Sequence, residues 1–417
     1  MTETVSTLPL FAGYGIELEY MIVNNDTLSV MPVTDEVIKS VAGEYTNEYA
    51  TGAIGWSNEL VLHVIELKTN GPVAILTDLP GKFLTDIQHI NNILSGLNGQ
   101  LMPTAMHPWM NPIPETKLWP HESNEIYDTF DRIFNCQGHG WSNLQSMHLN
   151  LPFSGDHEFA SLHNAIRLLI PLMPAIAASS PIMEGEATGL MDTRLETYRR
   201  NAEKIPSVTG MVIPEYINNI QDYEDRILQP MYKEIAPFDP DGNLQFEWLN
   251  ARGAIARFDR NAIEIRVLDT QETPSADIAI ASLIITVLKK MIVGDWSERY
   301  LQSEISTESL AKIFNDTIKD AEQTVIDNCD FLSLFEFPER RCEARELWHF
   351  LLEQTGFGNS NEEKDFKHII ETILNHGPLA RRITRATGKD LKKSNLQEVY
   401  RTLCECLGKG QLFEGID

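Results

Sequence analysis

The chain is poor in positive charge and in cysteine, and it has no long apolar run. Its 417 residues carry 34 Lys plus Arg against 60 Asp plus Glu, a formal charge of −26. A phosphate polyanion is repelled by such a field unless a basic stripe outweighs it, and no block of Lys and Arg does so; no nucleic-acid partner is expected. The five cysteines (Cys136, Cys329, Cys342, Cys404 and Cys406) are odd in number and never spaced C-x-x-C, which argues against a disulfide framework or a zinc finger. The longest apolar stretch, Ile278 to Leu288, is about half of the roughly 20 residues a bilayer span needs and ends at Lys289 and Lys290, so it reads as a buried helix and no membrane partner is expected. The opening MTETVSTLPL has no basic n-region before an apolar core, so no secretory signal is visible and a cytoplasmic location is expected. Motifs are missing too. There is no Walker P-loop, Gly13-x-Gly15 lacks the third glycine of a dinucleotide fingerprint, no H-E-x-x-H occurs, and Ser57 in GWSNE lacks the second glycine of a nucleophile elbow. A nucleotide, if bound, must be held by metals and arginines.

What is present changes along the chain. Up to about Thr270 several segments alternate with period two (FAGYGIELEYMIV, NELVLHVIELKTN, SMHLNLPF, NAIEIRVLD), and after Thr273 the pattern is nearly all helical. This is an α+β chain with helical segments expected over Ile278–Ile292, Ser306–Asn328, Glu339–Gln354, Glu363–Asn375 and Leu396–Leu407. Thr273, Pro274 and Asp277 suit the N-cap, first-turn proline and acidic first turn of the first of these. A long apolar helix over Asp156–Ser180 should kink near Pro171 and Pro174. The segment 356–361 (GFGNSN) reads as a loop. We expect a single catalytic domain over 1–417, of which 275–417 is a helical portion packed on the rest.

In a strand, residues two apart share a face. That rule puts Glu17 beside Glu19, His148 beside Asn150, and Glu264 beside Arg266, each pair backed by apolar neighbours on the other face. If the three strands share one sheet, its polar side gathers carboxylates, an imidazole, an amide and a guanidinium. Neighbouring carboxylates repel and persist mainly where a cation compensates them. Oxygen ligands with one imidazole suit Mg²⁺, or Mn²⁺, and hence phosphate chemistry. Half-exposed strands with their polar faces in water are the plainer reading of each strand alone. Glu59 and Glu66 add two carboxylates, but seven residues apart they face opposite ways in one uninterrupted strand and meet only if a bulge or a strand start intervenes. Candidate phosphate-binding arginines are Arg194, Arg199 and Arg200 in DTRLETYRRN and Arg252, Arg257 and Arg260 in ARGAIARFDR.

Taken in order, GIELEY, NELVLHVIELKTNGP, MHPWMNP, SMHLNLPF, PLMPAIAASSPIMEG, DTRLETYRRN, IPSVTG and NAIEIRVLDT resemble the glutamate-cysteine ligase family 2, the carboxylate-amine ligases. The resemblance covers roughly residues 11 to 300. It implies a glutamine synthetase-like fold, a large curved antiparallel sheet whose concave face holds Mg²⁺ between ATP and an amino acid, with helices behind. It also implies Glu17, Glu19, Glu59, Glu66, His148 and Glu264 as the metal shell, Arg266 and Glu264 at the reacting centre, and Arg194, Arg257 and Asn150 toward substrate or nucleotide. The implied reaction is phosphorylation of a carboxylate by ATP and attack on the acyl phosphate by an amine, as in forming γ-glutamylcysteine for glutathione biosynthesis. Partners would be the small-molecule acid and amine, and a homo-oligomer is allowed. Leu18 separates Glu17 from Glu19, whereas many bacterial members carry consecutive glutamates. Selectivity is expected in loops 99–120 and 184–214. A ligase for another acid and amine, guanidino phosphotransfer on the same scaffold, and a non-catalytic nucleotide or metal sensor are the competing readings.

Overall fold

The computed structural model describes residues 7–50, 52–293, 296, 304–360 and 363–415. The first residues of the N-terminal segment and Asn361 of the expected loop lie outside them. The strands of the main sheet are β1 (Gly15–Asn24), β2 (Glu48–Tyr49), β3 (Ile54–Asn58), β4 (Val64–Thr69), β5 (Gly99–Met102), β6 (Ser146–Pro152), β9 (Ala254–Arg257) and β10 (Ala262–Asp269); a small hairpin pairs β7 (Ile182–Met183) with β8 (Glu186–Ala187). The main sheet is antiparallel in the order β2-β3-β4-β1-β6-β10-β9, with β5 pairing the far end of β1. The central strand is thus the first in sequence, and the three period-two motifs lie side by side on β1, β6 and β10.

The apolar faces of these strands are sealed. Ile16, Leu18, Leu149, Leu151, Ile263 and Ile265 are buried with the helix Gly155–Leu169, which packs on β10 and β9, and with the helix Pro274–Val293 behind it. Pro274–Val293 is apolar all round (Ile278, Ile280, Leu283, Ile284, Val287 and Leu288 are all buried), as a central helix must be. No helix of the described residues is long and apolar enough to cross a membrane.

The start of that helix departs from expectation. The Thr273 hydroxyl makes no capping bond, and the buried Asp277 carboxylate instead reaches back to the Gln271 N–H at 2.9 Å. The long helix expected over 156–180 breaks where the prolines dictate: Gly155–Leu169 gives way to a single 3₁₀ turn, Ile170–Leu172, and a short helix, Pro174–Ala177. The helix expected over 306–328 spans only Thr307–Asp320, because Ala321 turns to φ 47° and the chain then forms β11 (Val325–Ile326) against β12 (Cys342–Glu343). The next helices run Ala344–Thr355, Lys364–His376 and Lys393–Lys409, and Leu379–Thr387 is an additional one. The Ser306 hydroxyl accepts the Ser309 N–H at 3.1 Å and caps its helix. Ser306→Ala should cost about 1 kcal/mol, read by urea denaturation at unchanged m-value.

A candidate metal and nucleotide site between two cavities

Register brings the polar side chains of the sheet together. Glu17 lies opposite His148 on β6 and Lys68 on β4, Glu19 lies opposite Glu66, Glu66 lies opposite Ser57 on β3, and Asn150 lies opposite both Gly15 and Glu264. A Cβ at Gly15 would stand 3.0 Å from the Asn150 Cβ, tighter than side chains ordinarily pack, so glycine leaves room for Asn150 Nδ2 to donate to Glu17 at 3.1 Å. Of the two expected devices, a bulge or a strand start, Glu59 and Glu66 meet by the second. They are not on one strand: β3 ends at Asn58, residues 59–63 form the connection, and β4 begins at Val64, so Glu59 is delivered from the end of β3 and Glu66 from the neighbouring strand.

This face is covered, not exposed as half-exposed strands would leave it: Glu17, Glu19, Glu66, His148 and Glu264 are all buried. Ligand atoms of Glu17, Glu66 and His148 lie within 4.8 Å of one another, and so do those of Glu19, Glu59 and Glu66. The two triads share Glu66. Glu264 belongs to neither; its carboxylate sits 3.9 Å from His148 Nδ1, 2.8 Å from Arg266 Nε and 3.1 Å from Arg257 Nη1.

The electrostatics show an imbalance. Burial and the adjacent Glu19 and Glu66 push Glu59 well above the carboxylate range. Burial and Glu17 raise Glu66 to about 7 against the pull of Lys68, 3.5 Å away, and of the Ser57 hydroxyl, which donates at 2.6 Å. Burial opposes ionisation of Glu17 as well, yet the His148 hydrogen bond at 2.9 Å, with Arg260 and Lys68, brings it down to about 2. Burial likewise opposes a charged His148, but Glu17, Glu19 and Glu264 hold it up at about 9. Among the described residues Glu59 has no such ion pair, while Glu19 and Glu66 rely on His148 at 3.8 Å and Lys68 at 3.5 Å. A buried carboxylate cluster short of cations, with one imidazole and otherwise oxygen donors, fits a hard divalent ion such as Mg²⁺ or Mn²⁺.

Two cavities flank the acidic wall. One, of about 480 Å³, is lined by Gly13, Tyr14, Glu17, Lys68, Asn150 and Arg260 among others. The second, of about 270 Å³, is lined by Glu19, Glu59, His148, Arg194 and Arg266 and by a set of aromatic side chains. Arg266 enters the second cavity beside an irregularity in β10, where pairing with β6 slips between Ile265 and Leu268. Arg194 is held differently from a free phosphate ligand: its Nε is 2.5 Å from Asp269, and Nη1 and Nη2 donate to the Arg266 carbonyl at 3.2 and 3.3 Å.

The remaining arginines separate by their partners. Arg257 is engaged by Glu264, Asp259 and Glu247 and lines neither cavity. Arg199 and Arg200 pair with Glu196 on their own helical segment, and Arg252 pairs with Glu215 at 2.6 Å. Arg260 reaches Glu17 at 3.5 Å from the rim of the larger cavity. Lys68 was missed by the sequence reading, although the same period-two rule that selected Glu66 selects it. Tyr127, Trp141 and Trp248 were missed as well; they arrive from a helix (Asn124–Phe134), a short helix (His139–Ser142) and a 3₁₀ turn (Glu247–Leu249), with no strand periodicity to mark them. The segments expected as selectivity loops are partly structured, containing β5, β8 and the helices Thr193–Tyr198 and Pro206–Thr209.

Residues 14–402 match the profile of Glutamate-cysteine ligase family 2. An uncharacterised protein of Archaeoglobus fulgidus is 29% identical over 399 residues, 96% of this chain and 99% of that one. A glutamate–cysteine ligase of Haloquadratum walsbyi is 26% identical over 184 residues, 42% of this chain and 45% of its own. Among solved structures, a glutamate–cysteine ligase of Francisella tularensis, crystallised in complex with AMP, superposes with a TM-score of 0.63 at 13% identity, covering 97% of this chain and 89% of that one. That likeness shows the fold, the glutamine synthetase-like α+β arrangement that the family resemblance implied.

Proposed function

Because the chain belongs to glutamate-cysteine ligase family 2, a family of carboxylate-amine ligases, we propose that it joins an acid, with glutamate the first candidate, to an amine at the expense of ATP and through an acyl phosphate. The observation that carries this reading is the buried acidic wall, two ligand triads sharing Glu66, set between a larger and a smaller cavity. The larger cavity has the size for a nucleotide, and Lys68 and Arg260 supply charge for its phosphates; the smaller suits the acid. Glu17, Glu19, Glu59, Glu66 and His148 would hold Mg²⁺, which when bound neutralises phosphate charge and aligns the transfer.

The chain's own residues do the rest. A carboxylate is a poor electrophile, because its charge repels a nucleophile and its leaving group would be oxide. Arg266 can bind a substrate carboxylate bidentately in the smaller cavity and orient the acid toward the wall. Arg194 acts one step back, through its bonds to Asp269 and to the Arg266 carbonyl. Asn150 steadies Glu17, and Arg257 with Arg266 steadies Glu264. No covalent enzyme nucleophile is required. We also place the enzyme in the cytoplasm, where ATP is available.

The test is ADP release from ATP and Mg²⁺ with L-glutamate and hydroxylamine, which traps an acyl phosphate as the hydroxamate without needing a binding site for a larger amine. Hydroxamate dependent on ATP, Mg²⁺ and the acid is the expected result. Hydroxamate with another acid and none with glutamate keeps the chemistry and changes the substrate. Nucleotide binding without turnover across a panel of acids would instead favour the sensor.

A further inference from the structure

The smaller cavity has one side that the acid does not use. Its lining also includes Phe130, Trp141, Trp248, Leu60, Leu144 and Leu249, and none of these carries a charge. The rings form one connected surface, with Phe130 5.3 Å from Trp141 and 5.9 Å from Trp248. Outside it, Phe246 stacks on Trp248 at 5.7 Å and an interplanar angle of 9°, and Phe246 is 53% exposed. Apolar surface therefore runs from solvent to the acidic wall.

Charge matching limits what enters along this path. Glutamate activated at its γ-carboxylate keeps its α-carboxylate, and cysteine would bring a second. Each carboxylate taken out of water calls for a cation. The cavity lining offers two guanidinium groups, and the charge of one, Arg194, is matched by Asp269 and 1% exposed. Arg266 pairs with Glu264 at 2.8 Å, but Arg257 meets that same carboxylate at 3.1 Å, so Arg266 can still serve one substrate carboxylate and no more. From this geometry we infer that the amine substrate carries no carboxylate and has an aromatic or branched apolar body, an arylalkyl amine being the best fit. An amine that arrives as ammonium is favoured by the ring faces until it loses its proton.

The inference rests on the proposed ligase reaction. The amine nitrogen lone pair attacks the acyl carbon of the γ-glutamyl phosphate, the C–N bond forms, the C–O bond to phosphate breaks, and phosphate leaves with that electron pair. One amine proton passes to water. The products are the γ-glutamyl amide, inorganic phosphate and ADP from the first half-reaction.

The experiment uses the full-length protein with ATP, Mg²⁺ and L-glutamate. Hydroxylamine first reports acid activation alone, and phenethylamine, isoamylamine and L-cysteine are then compared by kcat/KM, with the amides identified by mass spectrometry. Phenethylamine should exceed cysteine by about tenfold or more, the discrimination an apolar pocket supplies, and Trp248→Ala should lower that ratio by a similar factor through KM. Phe246→Ser, at an exposed ring that the core does not need, should lower the ratio in the same direction and serves if Trp248→Ala does not fold. Hydroxamate formation with cysteine as the preferred amine, or an equal loss for both amines in the variants, overturns the inference and leaves the ligase standing. Absence of hydroxamate overturns the glutamate-ligase reading and this inference with it.

Discussion

Glu66→Gln should cut turnover by about a hundredfold or more, in a protein that in the absence of metal is no less stable than the wild type. Glu66 is the carboxylate common to both triads, so its loss removes one oxygen from each, on the scale that a lost electrostatic group costs an active site. A buried glutamate would ordinarily be a structural risk to replace. Here its pKa of about 7 records the opposite: burial and Glu17 already disfavour its charge. An isosteric amide removes that repulsion and can still accept from Ser57, which donates to the carboxylate at 2.6 Å. Steady-state ADP release and a thermal melt in EDTA, measured on the same preparation, check both halves. Full activity would remove Glu66 from the site, and a large fall in melting temperature would show that the acidic wall is structural. Such divergence of activity and stability is what a site held under electrostatic strain predicts.

Arg194→Met should instead cost on the order of 3–5 kcal/mol of stability, because it leaves Asp269 buried without its cation. Asp269 is fully buried, and its second oxygen accepts from the Ser179 N–H at 2.7 Å and the Ser180 hydroxyl at 3.0 Å. Asp192 lies in the same pocket, raised by burial and by Asp269, so the guanidinium serves two acids. Denaturant unfolding at neutral pH measures the loss. Asp269→Asn should be milder than Arg194→Met, since the arginine keeps its bonds to the Arg266 carbonyl and the nearby charge of Asp192; equal or greater damage from Asp269→Asn would show that the pairing is wrongly apportioned. The Arg266 carbonyl loses two donors in Arg194→Met, so any folded fraction should show a raised KM for the acid before a lowered kcat.

Local rules made part of this site legible. The alternation in GIELEY, MHLNL and IEIRV puts Glu17, Glu19, His148, Asn150, Glu264 and Arg266 on one face whichever strands are neighbours, and the sheet places those strands adjacent. The meeting of Glu59 and Glu66 was not legible from period alone. NELVLHVIELKTN alternates almost continuously, and the break at residues 59–63 is set by pairing of β3 with β4, not by a glycine or proline. The pair Arg194 and Asp269 is 75 residues apart with no local pattern to join them. Phe130 and Tyr127 lie on an amphipathic helix whose apolar side would read as ordinary core, and only the cavity beside it distinguishes the two. The covering of the polar face belongs to the same class, since connections carry little periodic signal.

The order of strands also bears on how the protein is made. β1 emerges first from the ribosome but sits in the middle of the sheet, and its partner β6 follows more than 120 residues later, with β10 beyond it. Glu17 therefore waits for His148, and Glu264 arrives only after most of the chain has been synthesised. At roughly 5–20 residues per second, the interval between β1 and β10 is on the order of ten seconds or more, during which β1 can pair with β4 and β5 but the half of the sheet beyond it is missing. Closure of such a non-local sheet is slow, and the acidic wall is completed only in its last step, when β6 and β10 bring His148 and Glu264 to the carboxylates already gathered on β1 and β4. Refolding of the isolated chain should for that reason be limited by sheet closure and aggregation-sensitive before it.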